Sequence, residues 1–206
     1  MTFPESKFPD ISTYSDAYFK QYAKASSSIN KTKLVEAAAT LLDAYKNSKT
    51  LYVCGNGGSA SIANHLACDH GKLLATDTDL QPRVQSLSTN IEVITAIAND
   101  ISYDQVFVHQ LKLLANSGDI VMTVSSSGDS ENVVQAARWA REFGLDVIAM
   151  TGFSGGRTAE IASVNLHVDG DNYGIIEDVH QSLMHLLGQF MRQSLMDKNL
   201  VQERRF

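Results

Sequence analysis

The sequence predicts an α/β protein, a three-layer α-β-α sandwich around a parallel five-stranded sheet with an N-terminal helical extension. Three observations carry this. From Leu51 onward, short apolar runs of strand length alternate with segments of helical period. Alternation of that kind builds a parallel sheet covered on both faces. Two of the runs end in loops rich in glycine or serine that open into helices. Such folds bind ligands at the C-terminal ends of their strands.

The elements follow in order. Asp16 to Ala25 has a helical pattern. From Thr32 to Lys46, residues Leu34, Ala38, Leu41, Leu42 and Tyr45 fall near one helical face, with Ser28 or Asn30 as the cap. Leu51 to Cys54 is the first buried strand, and Ser59 to Leu74 the helix after it. Val84 to Leu87 is the second strand, followed by helices over Ile91 to Ala98 and Gln105 to Leu114. Asp119 to Val124 is a strongly apolar strand. Glu131 to Phe143 is a helix that Gly144 stops. Val147 to Met150 is a strand, Thr158 to Ala162 a short helix, Asn165 to Val168 a last strand, and Ile176 to Met196 a long terminal helix.

Composition bounds the function. The 206 residues are 44% apolar and 19% charged, which suits a folded chain with a substantial core. Without linker, repeat or long charge run, residues 1–206 read as a single domain. Within it, residues 1–48 supply the helices expected to pack on the domain or on a second subunit. A formal net charge of -6 lacks the footprint of a general nucleic-acid binder. Cys54 and Cys68 form no CxxC pair, so a disulfide framework is not expected, as in a reducing compartment. The opening residues lack a basic segment followed by an apolar run, and no stretch is long enough to span a bilayer. The expectation is a cytoplasmic protein without a membrane partner.

Two loops suggest chemistry. Cys54-Gly55-Asn56-Gly57-Gly58-Ser59-Ala60 joins the first strand to a helix. Glycines permit close backbone approach to a ligand, and the helix start offers unpaired N–H groups. The spacing also fits a dinucleotide fingerprint. However, the second strand is followed by Ser88, Thr89 and Asn90, with no acid to hold a ribose. A glycine turn without a ligand is the plain alternative. The third strand runs into Ser125-Ser126-Ser127-Gly128-Asp129-Ser130 and then a helix. Hydroxyls and amides at a helix N-terminus form a neutral cradle for a phosphate dianion. A simple N-cap would need one of these residues, not four serines in six positions.

Acid–base groups lie on two helices. His65 and Asp69 are four apart and share a face. Glu177 and His185 are eight apart on the terminal helix, with Gln181 between them. Two carboxylates and two imidazoles in one cleft suit general acid–base catalysis and also a zinc site. His70, His109, His167 and His180 are read as ordinary helical or surface histidines.

The GNGGSA loop followed far downstream by the SSSGDS loop resembles the SIS (sugar isomerase) domain over nearly the whole chain. The histidine positions resemble phosphoheptose isomerases, with two departures: Asp69 stands where that family has Glu, and Glu177 where it has Gln. Residues 172–181 and 68–70 also resemble a branch linked to surface-polysaccharide synthesis. The resemblance implies aldose–ketose isomerisation of sedoheptulose 7-phosphate to D-glycero-D-manno-heptose 7-phosphate. It implies Asp69 as the base, His185 as the second acid–base group, and zinc on His65, Asp69, Glu177 and His185. A carboxylate tied to zinc is a poorer base, so the two roles for Asp69 compete. Substrate binding would fall to Asn56, Gly57, Gly58, Ser59, Asp100, Ser125, Ser126, Ser127, Ser130 and Glu177. The implied assembly is a homotetramer with shared active sites. Some SIS proteins are instead non-catalytic sugar-phosphate sensors, or adaptors for DNA-replication initiators. These would not need both His65 and His185.

Overall fold

The computed structural model describes residues 2–206. Five parallel strands form one sheet: β1 (Thr50–Gly55), β2 (Arg83–Ser86), β3 (Ile120–Ser125), β4 (Asp146–Thr151) and β5 (Val164–His167). Their order is β2-β1-β3-β4-β5. The chain steps outward from β1 to β2, then returns to the other side of β1. The boundary between β1 and β3 is therefore a topological switch point, where such sheets open a crevice. Gly55 pairs with Val124, and Ser125 with Thr151. The glycine and serine loops thus leave adjacent strands at the same edge.

Alternating strand residues divide the core. Leu51, Val53, Ile120, Met122 and Met150 point to one face, against α1 (Ile11–Ser27), α2 (Lys31–Lys46), α3 (Gly58–Cys68) and α8 (Tyr173–Leu195). Tyr52, Cys54, Val121 and Val147 point to the other. There they meet α4 (Ile91–Asp100), α5 (Val108–Leu114) and α6 (Glu131–Glu142), with α7 (Gly156–Ile161) beside them. Burying each helix's apolar stripe on a sheet face is what holds three layers together. Of the two candidate caps for α2, Asn30 is the one used, accepting from the N–H groups of Thr32 and Lys33. Gly144 ends the sixth helix with φ near 82°, a conformation that costs glycine little.

Several boundaries differ from expectation. The helix expected over Ser59 to Leu74 is α-helical only to Cys68 and continues as a π-turn over Asp69–Leu73. Gly71 weakens the helix there, and buried His70 is tied to other elements, so the regular ladder gives way. The segment expected as one helix from Gln105 is a 3-10 turn, Tyr103–Gln105, and then α5. A short α9 (Lys198–Val201) follows the terminal helix and was not anticipated.

His70 and His180 are not surface residues, because both are fully buried. Each presents Nε2 to a carbonyl, Met184 O at 3.3 Å and Thr151 O at 3.2 Å. A carbonyl only accepts, so Nε2 donates in both rings. Burial holds both imidazoles down at about 4, against an ordinary 6.5. Between these values the unfolded chain binds more protons than the folded one, so stability rises with pH. The contribution is complete above 6.5 and is lost as pH falls toward 4. Melting temperatures measured across that window should fall with acidity, and fall less steeply in His180→Gln. An identical slope in the variant would contradict this account.

Candidate active site

The first loop is shaped by close approach. A Cβ on Gly55 would lie 2.7 Å from Ser59 O and 2.8 Å from Val124 O, so only glycine fits there. Gly57 has φ near 53°, and nothing lies within 4 Å of its Cβ position. Ser59 is buried in the first turn of α3. Asn56 exchanges hydrogen bonds with Asn132, at 2.8 and 2.9 Å, and accepts one from Tyr103 Oη at 2.9 Å. Asn132 lies in the first turn of α6, so Asn56 ties the glycine loop to the helix that follows the serine loop.

The second loop is a set of small donors. Gly128 N–H donates to Ser125 Oγ at 3.1 Å, and Asp129 N–H to Ser127 Oγ at 3.3 Å. Ser130 is the N-cap of α6, yet its hydroxyl makes no capping bond. Ser126 Oγ is buried without a hydrogen-bond partner among the described residues. The guanidinium beside this loop is committed elsewhere. Arg157 binds Asp129 and, at 2.7 Å, Glu131, and holds both carboxyls below their ordinary range. With Arg157 so engaged, the serine loop offers a ligand uncharged hydroxyls and backbone amides. A cavity of about 480 Å³ opens beside Ser127, lined also by Phe153, Arg157 and Tyr173. A larger one, about 860 Å³, lies under the N-terminal arm and touches none of the catalytic candidates.

Helix α3, the π-turn that continues it and helix α8 bring the titratable residues together. Asp69 Oδ1 lies 3.4 Å from His65 Nε2, and Asp69 Oδ2 lies 3.5 Å from His185 Nε2. Ligand atoms of these three residues all fall within 4.8 Å of one another. Gln181 places its amide nitrogen 2.9 Å from His65 Nδ1 and 3.4 Å from His185 Nε2. An amide nitrogen only donates, so both ring nitrogens accept from it. Two imidazoles and a carboxylate at these separations fit a divalent metal ion. The expected fourth ligand, Glu177, is not in this group. Its carboxylate instead stands over the first loop, where a Cβ on Gly58 would lie 2.9 Å from Glu177 Cδ. Burial, then neighbouring Asp178, raises the Glu177 carboxyl above its ordinary value. Asp100 ends α4, exposed, with its carboxylate accepting from Asn99 Nδ2 at 2.9 Å.

Behind the cluster, His70 fixes the helices. Its Nε2 donates to Met184 O, and its Nδ1 accepts from Tyr45 Oη at 2.9 Å. His70 follows Asp69 in sequence, and Met184 precedes His185. Gly188 makes room, since a Cβ there would lie 3.3 Å from His70 Cδ2. Sequence reasoning passed over Gln181, Asn132 and His70. The signal for Gln181 was available, because it stands four residues from both Glu177 and His185, on their face of the helix.

A doubly covered parallel sheet, with a glycine loop and a serine loop meeting at its switch point, defines an α/β domain of the sugar isomerase class. Residues 16–152 match the family model of the SIS domain. A probable phosphoheptose isomerase of Thermoplasma acidophilum is 37% identical over 171 residues, spanning 82% of this chain and 93% of that one. The phosphoheptose isomerase of Nitratidesulfovibrio vulgaris is 37% identical over 158 residues, 77% of this chain and 76% of the relative. The solved phosphoheptose isomerase GmhA from Neisseria gonorrhoeae superposes with a TM-score of 0.81 at 30% identity, over 89% of this chain and all of GmhA. The chain belongs to the SIS-domain family and, within it, to the phosphoheptose isomerases.

Proposed function

We propose that this protein isomerises sedoheptulose 7-phosphate to D-glycero-D-manno-heptose 7-phosphate, supplying heptose for surface polysaccharide in the cytoplasm. The observation that carries the reading is the cluster of His65, Asp69 and His185 where α3, its π-turn and α8 meet, in a chain whose neighbouring strands β1 and β3 lead into the glycine and serine loops. An adaptor that only binds sugar phosphate has no need of such a cluster. No described helix is long and apolar enough to cross a membrane.

The phosphate sits on Ser125, Ser126, Ser127 and Ser130, where amides and hydroxyls at the start of α6 bind an anion without a competing cation. Such a cradle holds the dianion yet lets product leave. Asn56, Gly57, Gly58 and Ser59 form the opposite wall, and Glu177 faces the sugar from α8. His185 moves protons among the sugar oxygens. Asp69, set between the two imidazoles, is the base that moves the proton between the adjacent carbons through an enediol. Asp100 lies at the substrate end of the cleft. Zinc fits the donor set of His65, Asp69 and His185, and three protein ligands are typical of a catalytic rather than a structural zinc. When bound, the ion polarises sugar oxygens.

Apolar side chains stay exposed on the N-terminal helices, with Ile11 at 79%, Phe19 at 65% and Val35 at 69%. A groove of about 570 Å³ runs along α8 past Leu186, Phe190 and Phe206 and reaches His185. Surfaces of this kind mark subunit contacts. The assembly is a homotetramer whose clefts take residues from a neighbour.

Ser127→Ala combined with Ser130→Ala should raise KM strongly with the fold retained. Asp69→Asn and His185→Ala should each lower kcat about 100- to 10,000-fold while sugar-phosphate binding survives. Steady-state kinetics and calorimetry check these. Normal turnover in both single variants would remove the cluster from the reaction. Light scattering at micromolar concentration should give a mass of four chains of 22.5 kDa each. Elemental analysis of untagged protein should find zinc at no more than one per chain. A monomeric mass would contradict the assembly. Absence of zinc, with no effect of added zinc on activity or melting, would make the cluster purely acid–base.

A further inference from the structure

We infer that Arg157 governs how tightly the serine loop holds phosphate without touching the phosphate itself, by neutralising Asp129 and Glu131 beside it. The inference rests on reading that loop as a sugar-phosphate site. Arg157 is thus a positioning residue, acting through two carboxylates.

The two acids flank the last serine of the loop, Asp129 before Ser130 and Glu131 after it. The backbone N–H of Asp129 donates to Ser127 Oγ at 3.3 Å, so this acid belongs to the same turn as the hydroxyls. Ser127, Asp129 and Arg157 line one cavity of about 480 Å³. Both carboxyls are ionised at neutral pH. A phosphate dianion entering here meets two like charges beside its donors. The start of α6 offsets them with only about half an elementary charge.

One guanidinium engages both acids. Arg157 donates from Nε to the Asp129 carboxylate, from Nη1 to Glu131 Oε2 at 2.7 Å, and from Nη2 to the Asp129 carbonyl at 2.9 Å. Its fork is spent on protein, and two negative charges at the loop are reduced to one.

The loop's shape has other supports. Thr158, fully buried, donates to Gly128 O from both its N–H and its Oγ1, at 2.9 and 3.0 Å. A Cβ on Gly128 would collide with Gly155 O, so α7 and the loop meet backbone to backbone. The side chains of the clasp, by contrast, are between 38% and 55% exposed. Ion pairs so exposed add little to stability. Placed at the lip of an anion site, they act on the ligand instead.

The test is calorimetric titration of sedoheptulose 7-phosphate into three purified proteins. These are wild type, Arg157→Met, and a triple variant that adds Asp129→Asn and Glu131→Gln to Arg157→Met. Glu160, the other acid on the cavity, is unchanged in all three. At low ionic strength Arg157→Met should weaken Kd about tenfold or more, with little change in melting temperature. In about 1 M salt, where the screening length is about 3 Å, that defect should shrink to about threefold or less. At saturating substrate kcat should change less than about threefold, because the proton-transfer groups lie elsewhere. The triple variant should bind within about threefold of wild type, or more tightly. A clasp that only shaped the loop would not be rescued by removing its acids. If Arg157 itself held the phosphate, the triple variant would stay as weak as Arg157→Met, and the inference would be overturned. An unchanged Kd in Arg157→Met would overturn it equally, while wild-type binding would leave the sugar-phosphate reading standing. If wild type binds no sedoheptulose 7-phosphate, that reading and the inference fall together.

Discussion

The catalytic cluster depends on α3 and α8 lying side by side, and His70 locks them there. Its ring is buried between Tyr45 Oη and the Met184 carbonyl. Burial keeps the ring neutral. A neutral ring offers one donor and one acceptor, which is what a hydroxyl and a carbonyl require. The lock joins the residue after Asp69 to the residue before His185, so backbone rather than long side chains sets the spacing of the cluster. Gly188 and the π-turn are consequences of the same constraint. The first gives the ring its room, and the second absorbs the break in helical period. An unpartnered donor or acceptor at this depth would cost about 1–3 kcal/mol, so the arrangement tolerates little slack.

Electrostatics at this edge is arranged by withholding charge. The protein is acidic overall, at -6, yet the loop assigned to phosphate carries no free carboxylate. Arg157 absorbs Asp129 and Glu131 on the outer side of that loop. The serines of the loop add hydroxyls and backbone amides at the start of α6. The charges that matter for proton transfer lie on the other two helices. Binding and chemistry are thereby separable, because variants in one set need not disturb the other. Asn56, hydrogen-bonded to Asn132, connects the two regions without adding charge.

Much of this was legible in the sequence. The five strands, their parallel pairing and the two loops followed from apolar runs broken by GNGGSA and SSSGDS, because local composition decides such features. The i, i+4 pair of His65 and Asp69 and the later His185 could be placed on two helices by counting. What escaped depended on tertiary context. Nothing local marks Asp69–Leu73 as a π-turn or His70 as buried, since both arise from the meeting with Tyr45, Met184 and Gly188. Glu177 was expected beside His185 from its spacing. Eight residues are slightly more than two turns of about 3.6 residues, and the extra rotation with the rise carries its carboxylate to Gly58 instead. Gln181, noted only as lying between them, is the α8 side chain that bridges the two histidines.

The central claim is that the cluster of His65, Asp69 and His185 performs proton transfer on a phosphorylated heptose. Incubation of the purified chain with sedoheptulose 7-phosphate in D2O, followed by NMR, tests it most directly. The account predicts that an aldose 7-phosphate appears, with solvent deuterium at the carbon that receives the transferred proton. Binding of the sugar phosphate with neither aldose formation nor deuterium incorporation would contradict it, and would leave a protein that holds its ligand without transforming it.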